Sequence, residues 1–182
     1  MAVPDGHVAL LRGINVGKAK RIAMADLRAL VADLGYRGVS TLLNSGNVVF
    51  TAPGADPEDA ARRIEDALRE RTGVSSRVVV LTAREIADAV ESMPWRVPDP
   101  SRLLVTVLYD PADRHKLAPL MDQDWGTGRL ALAGRVAYVW CPDGILQSKL
   151  PDAVGKVLRD GATSRNWATM LKLHALVHDP PS

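Results

Sequence analysis

The sequence VSTLLNSGNVVFT, residues 39–51, decides the fold of the N-terminal half, because it contains two strand-like runs around a tight turn. We predict strands at Val39–Leu43 and Val48–Thr51, since both runs are short and rich in residues that favour extended backbone. Asn44-Ser45-Gly46-Asn47 is predicted to form the turn, because glycine and asparagine tolerate positive φ angles. We therefore predict an antiparallel hairpin at the centre of this half.

Helical segments flank this hairpin on both sides. Ala23–Leu34 carries apolar residues at intervals of three and four, which is the spacing of an amphipathic helix. Asp56 is predicted as the N-cap of a second helix, with Pro57 at its first position. The first half then has the order β-α-β-β-α-β, which is typical of the ferredoxin-like fold. Its outer strands are predicted from two further apolar runs, Val8–Leu11 and Arg77–Leu81.

The most proline-rich segment, residues 94–100, is predicted to connect the two halves of the chain. Just before it, Thr82 and Glu85 have the spacing of a capping box and predict a third helix. We therefore expect a first ferredoxin-like α+β subdomain at residues 1–93, and a second α+β subdomain with a C-terminal helix at residues 101–182.

The second half repeats the element order of the first without a clear last strand. We predict a strand, a helix, a hairpin and two helices, at residues 103–109, 110–121, 129–140, 149–158 and 163–177, with Pro180-Pro181 ending the chain. The expected fold class is thus α+β, with two ferredoxin-like subdomains packed together.

Composition limits the class of protein. The 182 residues are 47% hydrophobic and 24% charged, with a net charge of only +2, so we expect a globular core. Cys141 is the only cysteine, which excludes an internal disulfide and a multi-thiolate metal site. MAVPDGHVAL at the N-terminus does not resemble a signal peptide, and no apolar run is long enough to span a membrane. We expect a cytoplasmic protein without metal, cofactor or membrane contact.

The segment RGINVGKAKR, residues 12–21, holds four cations and no acidic residue between a predicted strand and a predicted helix. Backbone N–H groups in such a loop can face an anion, and glycines permit close approach. Arg12, Asn15, Gly17 and Lys18 are therefore candidate ligand-binding residues. The spacing differs from that of a P-loop, which has four residues between its glycines. An ordinary solvated loop is the alternative interpretation.

Two other polar segments are candidates for the same site. Ser45 and Asn47 lie in the hairpin turn, and turn chemistry alone also accounts for them. The sequence does not determine whether this turn lies beside the basic segment. Ser148 and Lys149 precede a predicted helix, where Ser148 fits first as a cap and second as an anion contact.

Arg165 and Asn166 open the predicted last helix, for which Thr163 or Ser164 is the expected N-cap. A cation in a first turn is disfavoured by the helix dipole, and such a local violation can mark a site. Trp167 is predicted to be a core residue instead, because it begins an apolar stripe that continues at Met170, Leu171, His174 and Val177.

Several strings of the sequence together resemble the DUF1697 family, a family without an established function. They are LLRGINVG at 10–17, MADLR at 24–28, NSGNVVF at 44–50, SKL at 148–150 and ATSRNWATMLKL at 162–173. Their joint order is specific and covers nearly the whole chain. The resemblance implies two α+β subdomains of ferredoxin-like type and no particular activity. The motif residues of the family map onto Arg12, Gly13, Asn15, Gly17, Ser45, Gly46, Asn47, Ser148, Lys149, Arg165, Asn166 and Trp167.

If these residues converge, we expect a basic polar cleft between the subdomains. The candidate set has donors and cations but no carboxylate or histidine, so it suits recognition of a phosphate or carboxylate better than proton transfer. The first hypothesis is therefore binding of an anionic small ligand such as a nucleotide. Nucleic acid is a weaker alternative, because aromatic residues, the usual stacking platforms, are only 4% of the chain.

Two other functions stay open. An enzyme acting on a phosphorylated small molecule would need an acid–base group beside the cluster, such as Asp26 or Asp152. A protein-interaction module without a ligand would instead have its motif side chains tied up in internal hydrogen bonds.

Overall fold

The computed structural model of the protein describes residues 5–179, so the predicted chain end at Pro180-Pro181 lies outside the described residues. The described chain divides into two compact units, the first with residues 5–87 and 173–179 and the second with residues 88–172. The proline-rich segment 94–100, which we predicted as the connection, lies inside the second unit. Among residues 5–179, no helix combines the length and the apolar character that crossing a membrane requires.

The first unit contains a four-stranded antiparallel sheet with the strand order β2-β3-β1-β4. Its element order is the predicted β-α-β-β-α-β, and a third helix begins after the last strand. The elements are β1 (Gly6–Leu11), α1 (Met24–Asp33), β2 (Arg37–Leu42), β3 (Asn47–Thr51), α2 (Pro57–Thr72), β4 (Val78–Thr82) and α3 (Ala83–Glu91).

The ends of these helices follow from local chemistry that the sequence predicted. The Asp56 carboxylate accepts a hydrogen bond from the Glu58 N–H at 3.2 Å, which caps α2. At the start of α3, the Glu85 N–H donates to the Thr82 hydroxyl at 3.1 Å, and the Thr82 N–H donates to the Glu85 carboxylate at 2.9 Å. This reciprocal pair confirms the predicted capping box.

The core of the first unit lies between one face of the sheet and the helices α1 and α2. Leu30 of α1 and Ile64 of α2 pack in the same buried cluster as the strand residues Val48 and Phe50. Burying one such side chain stabilises the fold by about 1.5–3 kcal/mol. Ile14 and Ile22 also belong to this cluster, so the long loop between β1 and α1 is anchored to the core at two points.

The second unit contains a separate four-stranded antiparallel sheet with the order β6-β7-β5-β8. Residues 111–117, predicted as part of an α-helix, form a 3₁₀ helix that ends in a single α-helical turn. The elements are β5 (Leu103–Leu108), α4 (Ala118–Met121), β6 (Arg129–Ala133), β7 (Val136–Trp140), α5 (Leu150–Leu158), β8 (Ala162–Asn166) and α6 (Trp167–His178).

The prediction of a helix from Thr163 onward was wrong, because residues 162–166 form the strand β8. This strand pairs with β5 over five residues, and the Ser164 and Thr106 hydroxyls hydrogen-bond each other at 2.8 Å across the pair. Thr, Ser and Asn are typical both of helix caps and of turns, so their presence concealed a strand in which Thr163 and Arg165 are buried and Ser164 between them is exposed. Cross-strand pairing with β5 decides the conformation.

The final helix therefore begins at Trp167, four residues after its predicted start at Thr163. Trp167, Met170 and Val177 are buried, as predicted from their spacing. Leu171 is 38% exposed and does not belong to the buried stripe, since it lies one residue beyond Met170 on the turning helix.

Candidate functional site

The basic loop, residues 12–21, connects β1 to α1 in the first unit. Four of its residues have left-handed backbone conformations: Gly13 at φ 68°, Asn15 at 54°, Gly17 at 64° and Lys20 at 51°. The Asn15 N–H closes the loop on itself by donating to the Lys20 carbonyl at 2.9 Å. Anion-binding nests are built from alternating right- and left-handed residues, and the loop has left-handed positions of the kind that such a nest requires.

Asn15 holds this loop in place with both ends of its side-chain amide. Its Nδ2 donates to the carbonyls of Ile22 and Asn44, each at 2.9 Å, and its Oδ1 accepts from the Ile22 N–H at 2.8 Å. A third contact of Nδ2, to the Asn44 Oδ1, measures 3.2 Å. Asn15 thus joins the basic loop to the hairpin turn, which answers the question of adjacency that the sequence left open.

The cations of the basic loop face outward. Arg12, Lys18, Lys20 and Arg21 are all exposed. Within residues 5–179, the side chains of Lys18, Lys20 and Arg21 form no salt bridge. The Arg12 backbone is bound to the segment just before β4, because its N–H donates to the Arg77 carbonyl at 2.9 Å and its own carbonyl accepts from the Ser76 hydroxyl at 2.8 Å. The loop therefore presents positive charge from a fixed backbone.

The hairpin turn packs under the basic loop. Asn47 is fully buried, and its Nδ2 donates to the Leu42 carbonyl at 2.9 Å and to the Ser45 hydroxyl at 3.0 Å. Gly46 has φ 82°, and a Cβ at this position would lie 2.8 Å from Leu11 and from Ile14. Ser45 and Asn47, both candidate ligand-binding residues, therefore also shape the turn that supports the basic loop.

Ser148 and Lys149 line a cavity of about 500 Å³ in the second unit. Residues 124–128 form one wall, and residues 147–149 together with Cys141 and Asp143 form the rest. The Ser148 hydroxyl accepts from the Leu150 N–H at 3.2 Å, but the N-cap of α5 is Lys149 and not Ser148 as the sequence predicted. Lys149 is exposed at the rim.

Cys141 is buried beside Ser148, and burial raises the pKa of its thiol, while a hydrogen bond from Ser148 opposes this shift. A raised pKa keeps the sulfur protonated at neutral pH, so the geometry does not support a nucleophilic thiolate.

Three residues that line this cavity are not among the candidates predicted from the sequence. They are Asp124, Trp125 and Asp143. All three line the cavity together with Ser148 and Lys149. Aromatic and carboxylate side chains scattered over two loops give no motif, so only the fold reveals their proximity.

Arg165 and Asn166 serve the fold of the second unit. Arg165 lies in β8 with 9% of its surface exposed, and its guanidinium donates to the Thr163 hydroxyl and the Ser164 carbonyl, each at 2.9 Å. Burial lowers the pKa of Arg165 to about 10, and Tyr109 opposes this shift. Because Arg165 lies in a strand, the expected conflict with a helix dipole does not arise.

Asn166 caps the last helix. Its Oδ1 accepts a hydrogen bond from the Thr169 N–H at 2.9 Å, three residues into the chain that follows. The N-cap is therefore Asn166, and the predicted assignment to Thr163 or Ser164 was wrong. Both of those residues are in the strand β8 instead.

Metal-ligating side chains do not gather in the described part of the chain. In residues 5–179, no group of three or more His, Cys, Asp or Glu side chains could hold a metal ion. His174 and His178, four residues apart on α6, lie with ring centroids 4.5 Å apart, and the His178 Nδ1 contacts the His174 carbonyl at 2.8 Å.

Comparison with known proteins agrees with the fold and with the motif strings that lie within residues 5–138. A conserved bacterial protein from Streptococcus pneumoniae has a solved structure that matches with a TM-score of 0.78 at 21% identity, over 94% of this chain and 98% of that one. At this identity the match shows a shared fold. No curated protein matches the chain. The sequence profile described as "Protein of unknown function (DUF1697)" matches residues 5–138, and the chain therefore belongs to the DUF1697 family.

Proposed function

We propose that the protein binds an anionic ligand, bearing phosphate or carboxylate groups, at the basic loop of the first unit. The single observation that carries this proposal is the fixed presentation of its cations. Asn15 clamps the loop through hydrogen bonds to Ile22 and Asn44, while Lys18, Lys20 and Arg21 stay exposed. A fixed loop binds an anion without first losing conformational entropy.

The proposed ligand carries more than one negative charge. One exposed ion pair contributes less than about 1 kcal/mol, because water screens it. A ligand that engages several cations at once gains more, and a nucleotide or another polyphosphate meets this requirement. Arg12, Asn15, Gly17 and Lys18 are the proposed contacts, with Ser45 and Asn47 supporting the loop from the hairpin turn.

The candidates of the second unit have different proposed roles. Lys149 and Ser148 contact a ligand within their own cavity. For Arg165 and Asn166 we propose a structural role, in which they organise β8 and the start of α6. Their internal hydrogen bonds support this role.

We also infer that both units are ferredoxin-like subdomains. The support is the β-α-β-β-α-β element order, together with the strand orders β2-β3-β1-β4 and β6-β7-β5-β8, which place the first and third strands of each unit side by side.

A protein-interaction module is the second candidate function, and a specific observation favours it. This function predicts that the motif side chains form hydrogen bonds within the protein. Asn15, Asn47 and Asn166 all form such hydrogen bonds. Val16 and Leu43 are 70% and 55% exposed, and such exposed apolar side chains suit contact with a protein.

A thermal-shift screen distinguishes the two candidates. The panel contains nucleotides, sugar phosphates, dicarboxylates and short oligonucleotides, and a ligand at about 100 times its Kd adds roughly 2.7 kcal/mol to stability. The loop variant Lys18→Ala/Lys20→Ala/Arg21→Ala should lose the shift. The control variant Arg114→Ala/Lys156→Ala/Lys172→Ala removes three exposed cations elsewhere and should retain it. A flat panel with folded wild-type protein favours the interaction module.

A further inference from the structure

We propose that the cavity of the second unit binds a neutral polyhydroxylated ring, such as a monosaccharide. The cavity holds about 500 Å³, within the usual range for small-molecule sites. It is distinct from the basic loop, which belongs to the first unit. The inference rests on three features of its lining: a fixed aromatic ring, polar groups with unused hydrogen-bonding capacity, and the sign of its charge.

The aromatic wall is Trp125. Its indole N–H donates to the Leu120 carbonyl at 2.7 Å, which fixes the orientation of the ring. The side chain packs against the hydrophobic core of the second unit and also lines the cavity. Since the N–H is already used, the ring offers apolar surface to a ligand. An apolar ring surface suits the C–H face of a sugar.

The polar wall retains groups that a ligand can use. The Asp124 Oδ1 accepts a hydrogen bond from the Gly126 N–H at 2.8 Å, and the Asp143 Oδ2 accepts one from the Thr127 hydroxyl at 2.5 Å. The other oxygen of each carboxylate has no hydrogen-bond partner among residues 5–179. The amide of Gln147 and the ammonium of Lys149 are likewise exposed and without partners within that range.

These groups match hydroxyl chemistry. Carboxylate oxygens only accept hydrogen bonds, an ammonium only donates, and an amide does both. A hydroxyl both donates and accepts, so neighbouring hydroxyls of a sugar can satisfy Asp143, Gln147 and Lys149 together.

The charge of the lining argues against a phosphate. The charged lining residues are Asp124, Asp143 and Lys149, which gives a formal charge of −1. A phosphate would meet two carboxylates and one ammonium, whereas a neutral ligand meets no net repulsion. The cavity and the basic loop therefore select ligands of different charge, neutral in the cavity and anionic at the loop.

The backbone of the cavity is shaped by Gly128. A Cβ at this position would lie 3.2 Å from the Trp125 carbonyl and 3.5 Å from the Ser148 hydroxyl. The missing side chain lets the loop that carries Trp125 approach the segment that carries Ser148, so that both walls face one ligand-sized space.

Titration of the ¹⁵N-labelled full-length protein with glucose, galactose, mannose and ribose tests the proposal. The Trp125 indole N–H resonance, assigned with a Trp125→Phe variant, is the reporter. We expect a saturable shift with at least one sugar and a loss of roughly tenfold in affinity on Gln147→Ala, since two hydrogen bonds disappear. Gln123→Ala, which alters the chain's other exposed glutamine, should leave the affinity unchanged.

Two further comparisons complete the test. The phosphate ester of the sugar that binds, the 6-phosphate of a hexose or the 5-phosphate of ribose, should bind more weakly, because its dianion faces Asp124 and Asp143. The loop variant of the first unit should bind the sugar normally, so this proposal and the proposed anion site fail independently. The absence of a saturable shift with every sugar would overturn the inference, as would an affinity that Gln147→Ala leaves unchanged or that the phosphate increases.

Discussion

Asn15 shows how one side chain can organise the backbone of a candidate site. Its amide bonds to the backbone on both sides of the basic loop and to the hairpin turn. Its φ of 54° lies in the left-handed region, which asparagine tolerates better than most residues. The sequence singled out Asn15 as a ligand contact, and the structure adds this supporting role. Residue type alone does not distinguish an amide that faces a ligand from one that faces its own backbone.

Asn15→Ala should lower the free energy of unfolding by about 2 kcal/mol, because it leaves polar backbone groups without partners and places alanine at a positive φ. Urea denaturation of the purified variant measures this. Asn44→Ala is the matched control, since it removes only the side-chain contact at 3.2 Å and should cost less than about 0.5 kcal/mol. Equal losses for the two variants would contradict the clamping role.

A comparison of Gly46 with Gly54 separates two costs of adding a side chain, the steric clash and the unfavourable backbone conformation. Both have positive φ angles, 82° and 67°, but a Cβ at Gly46 would lie 2.8 Å from Leu11 while one at Gly54 meets nothing within 4 Å. Gly54→Ala should therefore cost about 1 kcal/mol of stability, for the backbone conformation alone. Gly46→Ala should cost about 3 kcal/mol, because overpacking adds to it. Denaturation midpoints that coincide would show that the packing under the basic loop is loose.

Tyr138 should make stability depend on alkaline pH. It is fully buried, its hydroxyl donates to the Ala89 carbonyl at 2.5 Å, and burial raises its pKa to about 12 from the ordinary value of 10.0. Above pH 10 the unfolded state loses this proton while the folded state keeps it, so stability present below pH 10 falls by about 1.4 kcal/mol per pH unit until pH 12.

Tyr138→Phe has no phenol to titrate and provides the comparison. Urea denaturation at pH 9, 10 and 11 should show a smaller loss of stability for this variant than for the wild type over the same range. Parallel curves for the two proteins would mean that the Tyr138 hydroxyl reaches solvent.

At the scale of elements, sequence reasoning worked best where one local rule decides the outcome. The cap at Asp56, the capping box of Thr82 and Glu85, and the hairpin at 44–47 all depend on neighbours a few residues away. The strand β8 depends instead on pairing with β5, about 58 residues earlier, through contacts such as Thr106 with Ser164. A sequence that is polar and rich in cap residues does not reveal such distant pairing.

Asn166 offers a test of the boundary between β8 and α6. Asn166→Ala should reduce the free energy of unfolding by about 1 kcal/mol, because the Thr169 N–H loses its acceptor. Asn166→Asp retains a side-chain oxygen at the same place and should be close to the wild type in thermal denaturation. If Asn166→Asp lowered the stability as much as Asn166→Ala, the Asn166 side chain would have a role other than capping.

At the scale of the whole molecule, the α+β class and the order of elements in the first unit were predictable because they follow from periodicity and turn chemistry. Which segments belong to which unit could not be predicted from the sequence, because residues 173–179 group with the N-terminal half only through contacts formed on folding. The two candidate binding regions also differ in how far the sequence could predict them. The basic loop is continuous in sequence and could be recognised there, whereas the cavity beside Ser148 is assembled from separate loops.

Calorimetric titration with inorganic pyrophosphate tests the central claim, that the basic loop binds anions, most directly. We expect saturable binding by the wild type that weakens as salt increases, because screening acts on exposed charges. The loop variant Lys18→Ala/Lys20→Ala/Arg21→Ala should bind at least about tenfold more weakly, for a loss of roughly 1.4 kcal/mol. The control variant Arg114→Ala/Lys156→Ala/Lys172→Ala should stay within about twofold of the wild type. Equal affinities for the two variants, or heat that never saturates with folded wild-type protein, would contradict the account.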